Sequence, residues 1–234
     1  MIAWLDHTPR FPPVSHATRD PNGLLAAGGD LSRERLLAAY QLGIFPWTMP
    51  GEPLLWWSPD PRMVLRPADL HVPTSLGKVI RNRPYRVAFD TDFAGVMRGC
   101  AAPRRDTDQT WISDDMIAAY TDLHAIGYAH SAECYIDGQL AGGLYGVAIG
   151  NMFYGESMFA IRPDASKIAF VHLVRYLQQQ GFGLIDCQMH TEHLARFGAA
   201  EVPRATFTAD LSQLVRHTRI PGRWHYNDEN PGAP

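Results

Sequence analysis

The sequence predicts an α+β fold: a small N-terminal domain over residues 1–61, then a C-terminal domain over residues 62–234 built on a mixed sheet with flanking helices. Three features carry that expectation. Residues 1–61 are rich in Pro and Gly yet hold one well-marked helix. The apolar runs LAGGLYGVAI and MFYGESMF flank Gly150-Asn151, as in a hairpin. An amphipathic helix and the short strand FGLIDCQMH follow directly.

Taken in order, Ser32 is placed to cap the first helix, Glu34 lies in its first turn, Leu36, Leu37 and Tyr40 form an apolar stripe, and Gly43 closes its end. GIFPW and LLWWSPDPR come next, and Pro59 and Pro61 forbid a continuing helix, which sets the domain boundary there. Beyond it the pattern predicts a strand at MVLRP, a basic helix at TSLGKVIRN, a strand at YRVAFD, a helix through DDMIAAYTDLHAIG and a strand at AHSAECYIDG. The hairpin follows, its Gly-Asn pair suited to positive φ. A helix from about Asp164 to Gln180 then buries Ile168, Val171, Leu173, Val174 and Leu177 and stops at Gly181. The tail from about residue 227 is expected to be loose. Hairpin, helix and strand in that order give an antiparallel pair followed by a parallel one. This resembles the core of the N-acetyltransferases (GNAT type). There a glycine-rich turn at the head of the helix holds the pyrophosphate of coenzyme A. Here that turn reads PDASK, so coenzyme A is disfavoured and no cofactor is expected.

The chain of 234 residues is 46% apolar, enough for a substantial core. Its formal charge of −3 is unevenly placed. Residues 62–105 hold nine Lys/Arg against three Asp, a local +6, while the remainder carries −9. Such a chain offers one basic face to a polyanion, unless the charges are scattered over a solvated surface. Cys100, Cys134 and Cys187 are odd in number, widely spaced and without a C-x-x-C pair, which argues for a reducing compartment. The start, MIAWLDHTPRFPPV, lacks a charged segment leading into an apolar one, and no run reaches the roughly 18 apolar residues of a membrane span. A cytosolic protein with no membrane anchor is expected.

Two stretches carry chemistry. In YGESMF, Glu156 sits among aromatic and methionine residues, where an unpaired carboxylate is costly to bury. It calls either for a cationic substrate or for an internal partner such as Arg162. In LIDCQM, strand alternation places Asp186 and Gln188 on one side and Ile185, Cys187 and Met189 on the other. Asp186 and Gln188 are suited to orient an amine and receive its proton; the alternative is a strand-end acid satisfied by backbone amides. Cys187 has no feature that lowers a thiol pKa and reads as core. His190 and His193 follow, but alternation splits Asp186 from Cys187, and His124 and His130 lack ligand spacing, so no metal is expected.

Several strings together, NGLLAAGGDLSRERLLAAYQLGIFPW, LLWWSPDPR, TWIS, AHSAECY, GGLYGVAIGNMFYGESMF, ASK and LIDCQ, resemble the leucyl/phenylalanyl-tRNA–protein transferase family, in order from about residue 11 to 207. The resemblance implies a small N-terminal domain and an acetyltransferase-like domain that uses aminoacyl-tRNA in place of acyl-CoA. The reaction it implies is transfer of Leu or Phe, less readily Met, from leucyl-tRNA or phenylalanyl-tRNA to the N-terminal Arg or Lys of a protein, creating an N-end rule degradation signal. The family usually acts as a monomer. Its catalytic positions fall on Glu156, Asp186 and Gln188: Asp186, through Gln188, accepts or relays the amine proton, and Glu156 holds the acceptor's cationic end or the reacting amine. Its side-chain pocket falls on Trp111, Leu144, Phe153, Gly155, Met158, Phe170, Leu177 and Ile185. Relatives carry other apolar residues at Leu144 and Phe170 and an aromatic at Leu177.

Trp47 and the Trp56-Trp57 pair are candidates for stacking under the 3′-terminal adenosine, with Tyr120 and Ser131 adding polar contacts. Lys78 and Arg81 share a helix face close to Arg83, where the family places a basic cluster for the tRNA acceptor stem. Thr74 stands where a further base is expected, which implies a weaker grip or use of Arg83. Two other classes compete. A glycosidase with Glu156 and Asp186 as its carboxylate pair would need a sugar cleft rather than apolar surroundings. A non-catalytic tRNA-binding protein would account for residues 62–105 but not for LIDCQ.

Overall fold

The computed structural model describes residues 2–103 and 110–232; Arg104 and Arg105 of the basic segment lie outside the described residues. The N-terminal part contains β1 (Ala3–Leu5), β2 (Leu24–Gly28), α1 (Arg33–Gln41), β3 (Phe45–Pro46) and β4 (Leu55–Trp57). The remainder contains β5 (Arg62–Leu65), α2 (Thr74–Asn82), β6 (Tyr85–Phe89), α3 (Phe93–Ala101), α4 (Asp114–Ala125), β7 (Ala129–Ile136), β8 (Gln139–Ile149) and β9 (Met152–Ala160). Then come α5 (Ala165–Gln179), β10 (Leu184–Gln188), α6 (Glu192–Ala195), β11 (Ala200–Val202), α7 (Arg204–Leu214) and β12 (Asn227–Asn230).

Two sheets result. The first has the order β1-β2-β4-β3, the second β11-β5-β10-β9-β8-β7-β6-β12. The α1 cap forms as expected, with the Ser32 side chain accepting from the Arg35 amide and Gly43 at φ +73° beyond the end. The hairpin joins β8 to β9, though of the Gly150-Asn151 pair Gly150 alone takes positive φ. β9 then crosses by α5 to β10, which pairs with it in parallel. This is the antiparallel-then-parallel mixed sheet that the sequence predicts.

Each face of the large sheet has its own core. On one face α5 lies against β7 and β8, and it is buried nearly all round: Phe170, Val171, Leu173, Val174 and Leu177 share one cluster with strand residues, and Phe170 also meets the ring of Phe197. On the other, α3 and α4 join the N-terminal sheet in one continuous cluster that runs from Leu36, Tyr40 and Trp56 to Val64, Tyr120 and Tyr154. Strand β8 admits helices on both sides because it is glycine-rich. A Cβ on Gly142 would approach Ala165 Cβ of α5 to 2.8 Å, and one on Gly143 would lie 3.1 Å from Val96 of α3.

The expectation of a loose tail is corrected. Asn227–Asn230 form an antiparallel ladder with β6, Tyr226 stacks on Phe89 with ring centroids 4.3 Å apart, and its hydroxyl meets His172 Nδ1 at 2.8 Å. The polar string NDEN conceals this, because an edge strand needs backbone partners more than apolar side chains. Tyr226→Ala is expected to lower stability by about 1–3 kcal/mol, and for a chain of this size the melting temperature by about 2–4 °C per kcal/mol. An unchanged melting temperature would mean that the C-terminal strand is not anchored there.

Candidate active site

The site forms where two neighbouring strands part. β9 and β10 pair only through Leu184–Met152, Ile185–Phe153 and Asp186–Tyr154. Beyond that point each strand carries a bulge against its other neighbour. Tyr145 and Gly146 of β8 oppose Ser157 and Gly155, so Glu156 is the extra residue on β9. Val64 and Met63 of β5 oppose Asp186 and Gln188, so Cys187 is the extra residue on β10. A bulge re-aims the side chains around it and bends its strand. Two at one level open a cleft of about 410 Å³ between the strands.

The apolar wall uses residues named from the sequence. Leu144, Phe153, Gly155, Met158, Phe170 and Ile185 all line it, with Trp47 and Trp111 at its rim. Gly155 leaves space, since a Cβ there would meet only Asp186 O, at 3.6 Å. Three expected residues do not line the cleft; one of them, Tyr120, is fully buried and bonds Glu156 from behind. Leu177 is fully buried in the α5 core; Leu173, one turn nearer, takes the wall position. Ser131 is buried on β7, where its hydroxyl donates to Glu133 and its amide to Asp90 Oδ1. Trp56 is also removed from the stacking candidates. It is fully buried, with Nε1 donating to Gly28 O, whereas Trp57 packs edgewise on Trp47 and donates to the Trp47 carbonyl.

Glu156 projects from its bulge into a set of neutral donors. Tyr40 OH donates to Oε1 at 2.7 Å, Tyr120 OH to Oε2 at 3.2 Å, and Gln188 Nε2 to Oε1 at 3.2 Å. Tyr120 and Tyr40 also hydrogen-bond each other. Arg162 pairs instead with Asp137, so it is not the partner of Glu156. Burial pushes the Glu156 carboxyl up to about 7, against the pull of the two tyrosine hydroxyls, and nearby Asp186 adds to the rise.

Asp186 has the opposite surroundings. Arg62 Nε donates to Oδ1 at 2.8 Å and Arg62 Nη2 to Oδ2 at 2.6 Å, with both side chains 1% exposed. The Arg62 guanidinium lies between the rings of Phe45 and Phe207, at 4.8 and 4.7 Å from their centroids. Asp186 Oδ1 also accepts the Gln188 backbone amide at 2.8 Å, where Gln188 adopts a left-handed φ of +64°. Thus Asp186 grips the Gln188 backbone, and the Gln188 side chain reaches Glu156 rather than Asp186. Cys187 packs with the α5-side cluster, and burial, with Asp186 nearby, pushes its thiol far up.

Sequence reasoning missed Arg62 and Tyr40 as parts of this site. By charge alone Arg62 belongs with the basic surface; the signal available is its place at the head of the apolar run MVL, which marks a buried strand. Tyr40 reads only as part of an apolar stripe. The tRNA candidates Lys78, Arg81 and Arg83 are exposed on and beside α2, and among the described residues none of them makes an ion pair.

An apolar pocket beside a carboxylate held by neutral donors, on a mixed sheet with a parallel crossover, defines the class: an α+β protein with a buried carboxylate at an apolar cleft. Within that class the chain belongs to the leucyl/phenylalanyl-tRNA protein transferase family. The family model matches residues 64–212, and the model of the family's N-terminal domain matches residues 29–60. A leucyl/phenylalanyl-tRNA–protein transferase of Chromobacterium violaceum is 60% identical over 97% of both chains, and one of Laribacter hongkongensis is 57% identical over 100% of both. Among solved structures, a GCN5-related N-acetyltransferase from Kribbella flavida aligns with 70% of this chain and 59% of its own at a TM-score of 0.34 and 14% identity. Among the described residues no helix is long and apolar enough to cross a membrane.

The raised Glu156 carboxyl sets a pH dependence of stability. Its folded-state value, about 7, lies above the ordinary 4.5, so the folded state keeps the proton while the unfolded state releases it. Stability is therefore lost as pH rises from about 4.5 to about 7. Glu156→Gln abolishes this loss. The melting temperature of the variant relative to the parent is expected to rise between pH 5 and pH 8; a constant difference would place the Glu156 pKa in the ordinary range.

Proposed function

We propose that this protein transfers Leu or Phe, and less readily Met, from aminoacyl-tRNA to the N-terminal Arg or Lys of proteins in the cytoplasm, acting as a monomer and creating an N-end rule degradation signal. The observation that carries the reading is the placement of Glu156 at the mouth of an apolar slot lined by Leu144, Phe153, Met158, Phe170 and Ile185. The preference for Arg or Lys follows from the likeness to the family. No cofactor enters. In support, Asp164, an acid, stands at the head of α5 where a pyrophosphate would otherwise sit, with Lys167 already bound to it at 2.8 Å.

The slot takes the Leu or Phe side chain and rejects Cβ-branched residues, with discrimination per methyl group of about 1–3 kcal/mol. Trp47 suits the adenosine, Trp111 joins the side-chain slot, and Lys78, Arg81 and Arg83 suit acceptor-stem phosphates. The ester is already activated, so no covalent intermediate is needed. The acceptor α-amine has a reference pKa of about 7.7–8.0, within roughly one unit of Glu156, so a proton passes between them at a cost of only about 1.4 kcal/mol. In the reaction the amine lone pair attacks the ester carbonyl carbon and the C–N bond forms. Glu156 takes the amine proton, the C–O bond breaks, and the proton goes to the departing ribose oxygen. Asp186, whose oxygens are engaged by Arg62 and the Gln188 amide, acts by fixing Gln188 and so differs from the proton relay expected from the sequence.

The test compares transfer from leucyl-tRNA to peptides beginning with Arg or with Ala. Transfer to the Arg peptide is expected, with Glu156→Gln lowering the single-turnover rate by about 10²–10⁴. A variant rate near that of the parent would make Glu156 structural, and no transfer by the parent protein would leave only a tRNA-binding role.

A further inference from the structure

We infer that Tyr40, carried by α1 from the N-terminal part of the chain, is a positioning residue for Glu156, so that seating of the N-terminal sheet on the large sheet is a condition for the reaction. The inference rests on the reading of Glu156 as the proton acceptor. Tyr40 has the shortest contact to that carboxylate, 2.7 Å to Oε1, and its side chain is 1% exposed. Its own position is fixed from three directions. Its carbonyl accepts Tyr154 OH from β9 at 2.8 Å, its ring lies 4.9 Å from that of Tyr154, and its hydroxyl meets that of Tyr120 on α4. Residues two apart on β9 thus clamp one helical residue: Tyr154 holds its backbone and ring, while Glu156 receives its hydroxyl.

The consequence for Glu156 is directional. A phenol that donates to a carboxylate stabilises the ionised form and opposes the effect of burial. Burial, with Glu156 nearby, keeps the Tyr40 proton in place well above the ordinary phenol range, so Tyr40 is a donor throughout the working pH. The other groups facing Glu156 are Tyr120 from α4, Tyr145 from β8, Asp186 and Gln188 from β10, and Arg62 from β5. Tyr120 is likewise held protonated, and it divides its contacts between Tyr40 and Glu156. Tyr40 is therefore the donor whose loss changes the carboxylate most, and the only one of these groups supplied by the N-terminal sheet and its helix.

Tyr40→Phe keeps the ring and its packing on Tyr154 and removes only the hydroxyl. The midpoint of the single-turnover rate against pH is expected to move to higher pH. At pH 6 the rate falls about tenfold for each pH unit that the midpoint rises, and the difference closes above pH 8. The KM for leucyl-tRNA stays within about twofold, since the slot and the basic helix are untouched. Tyr226→Ala serves as the control: it loosens the core on the other face of the large sheet, away from α1 and Glu156, and it should lower the melting temperature while leaving the midpoint in place. A ¹³C NMR titration of the Glu156 carboxyl reads the same upward movement without turnover. An equal fractional loss at every pH, or a carboxyl titration that does not move, would overturn the inference. If Glu156→Gln itself transfers leucine at the parent rate, the underlying reading of Glu156 fails instead.

Discussion

The site depends on one constraint: β9 and β10 must be neighbours as far as Tyr154 and Asp186 and must then separate. The strands part at the level where each carries a bulge against its other neighbour, at Glu156 on β9 and at Cys187 on β10. At this level the two polar side chains, Glu156 and Gln188, meet across the opening. The left-handed backbone at Gln188 would be strained by itself. Asp186 stabilises it by accepting the Gln188 amide, and Arg62 stabilises Asp186. The chain of support therefore runs from a buried arginine to the side-chain amide that touches Glu156.

Two carboxylates within one cleft are given opposite surroundings. Asp186 faces a guanidinium with two parallel hydrogen bonds, the strong bidentate form, and is spent as structure. A buried pair of this kind adds little net stability, but loss of one partner costs about 3–5 kcal/mol because a charge is left uncompensated. Glu156 is hydrogen-bonded by neutral donors alone, which hold it in place without neutralising it, so burial dominates and its pKa rises toward that of an α-amine. Environment, not residue type, divides the roles.

Much of this is legible in the sequence. The Ser32 cap, the glycine turn at position 150 and the apolar face of α5 are local signals, and each forms as the pattern predicts. Alternation in LIDCQ puts Cys187 on the side of the α5 cluster, but it does not foresee that the Gln188 side chain reaches Glu156 rather than Asp186. What fails is tertiary. Leu177 and Leu173 differ by one helical turn on the same apolar stripe, and nothing local says where the slot ends. Trp56 and Trp57 differ by one strand position, which decides between full burial and a half-buried place against Trp47. Arg62 reads as surface charge because its partner lies 124 residues away. The NDEN strand is held by backbone pairing and by Tyr226, neither visible in its polar side chains.

The cleft contains a cysteine, the residue type that most readily forms an acyl intermediate, and yet its chemistry need not pass through one. Nucleophilic thiols require a lowered pKa, which a nearby cation or helix N-terminus supplies. At Cys187 the effects run the other way: burial raises the thiol strongly and the Asp186 carboxylate raises it further, while the one nearby cation, Arg62, is bound to Asp186 on the opposite side of the strand. The bulge places Cys187 in the cleft wall as an apolar group. An ester donor makes this sufficient, since it already holds the free energy that an acyl-enzyme would conserve. In the proposed reaction what the amine lacks is only a nearby acceptor for its proton, and a carboxyl raised to about 7 at Glu156 is matched to that task.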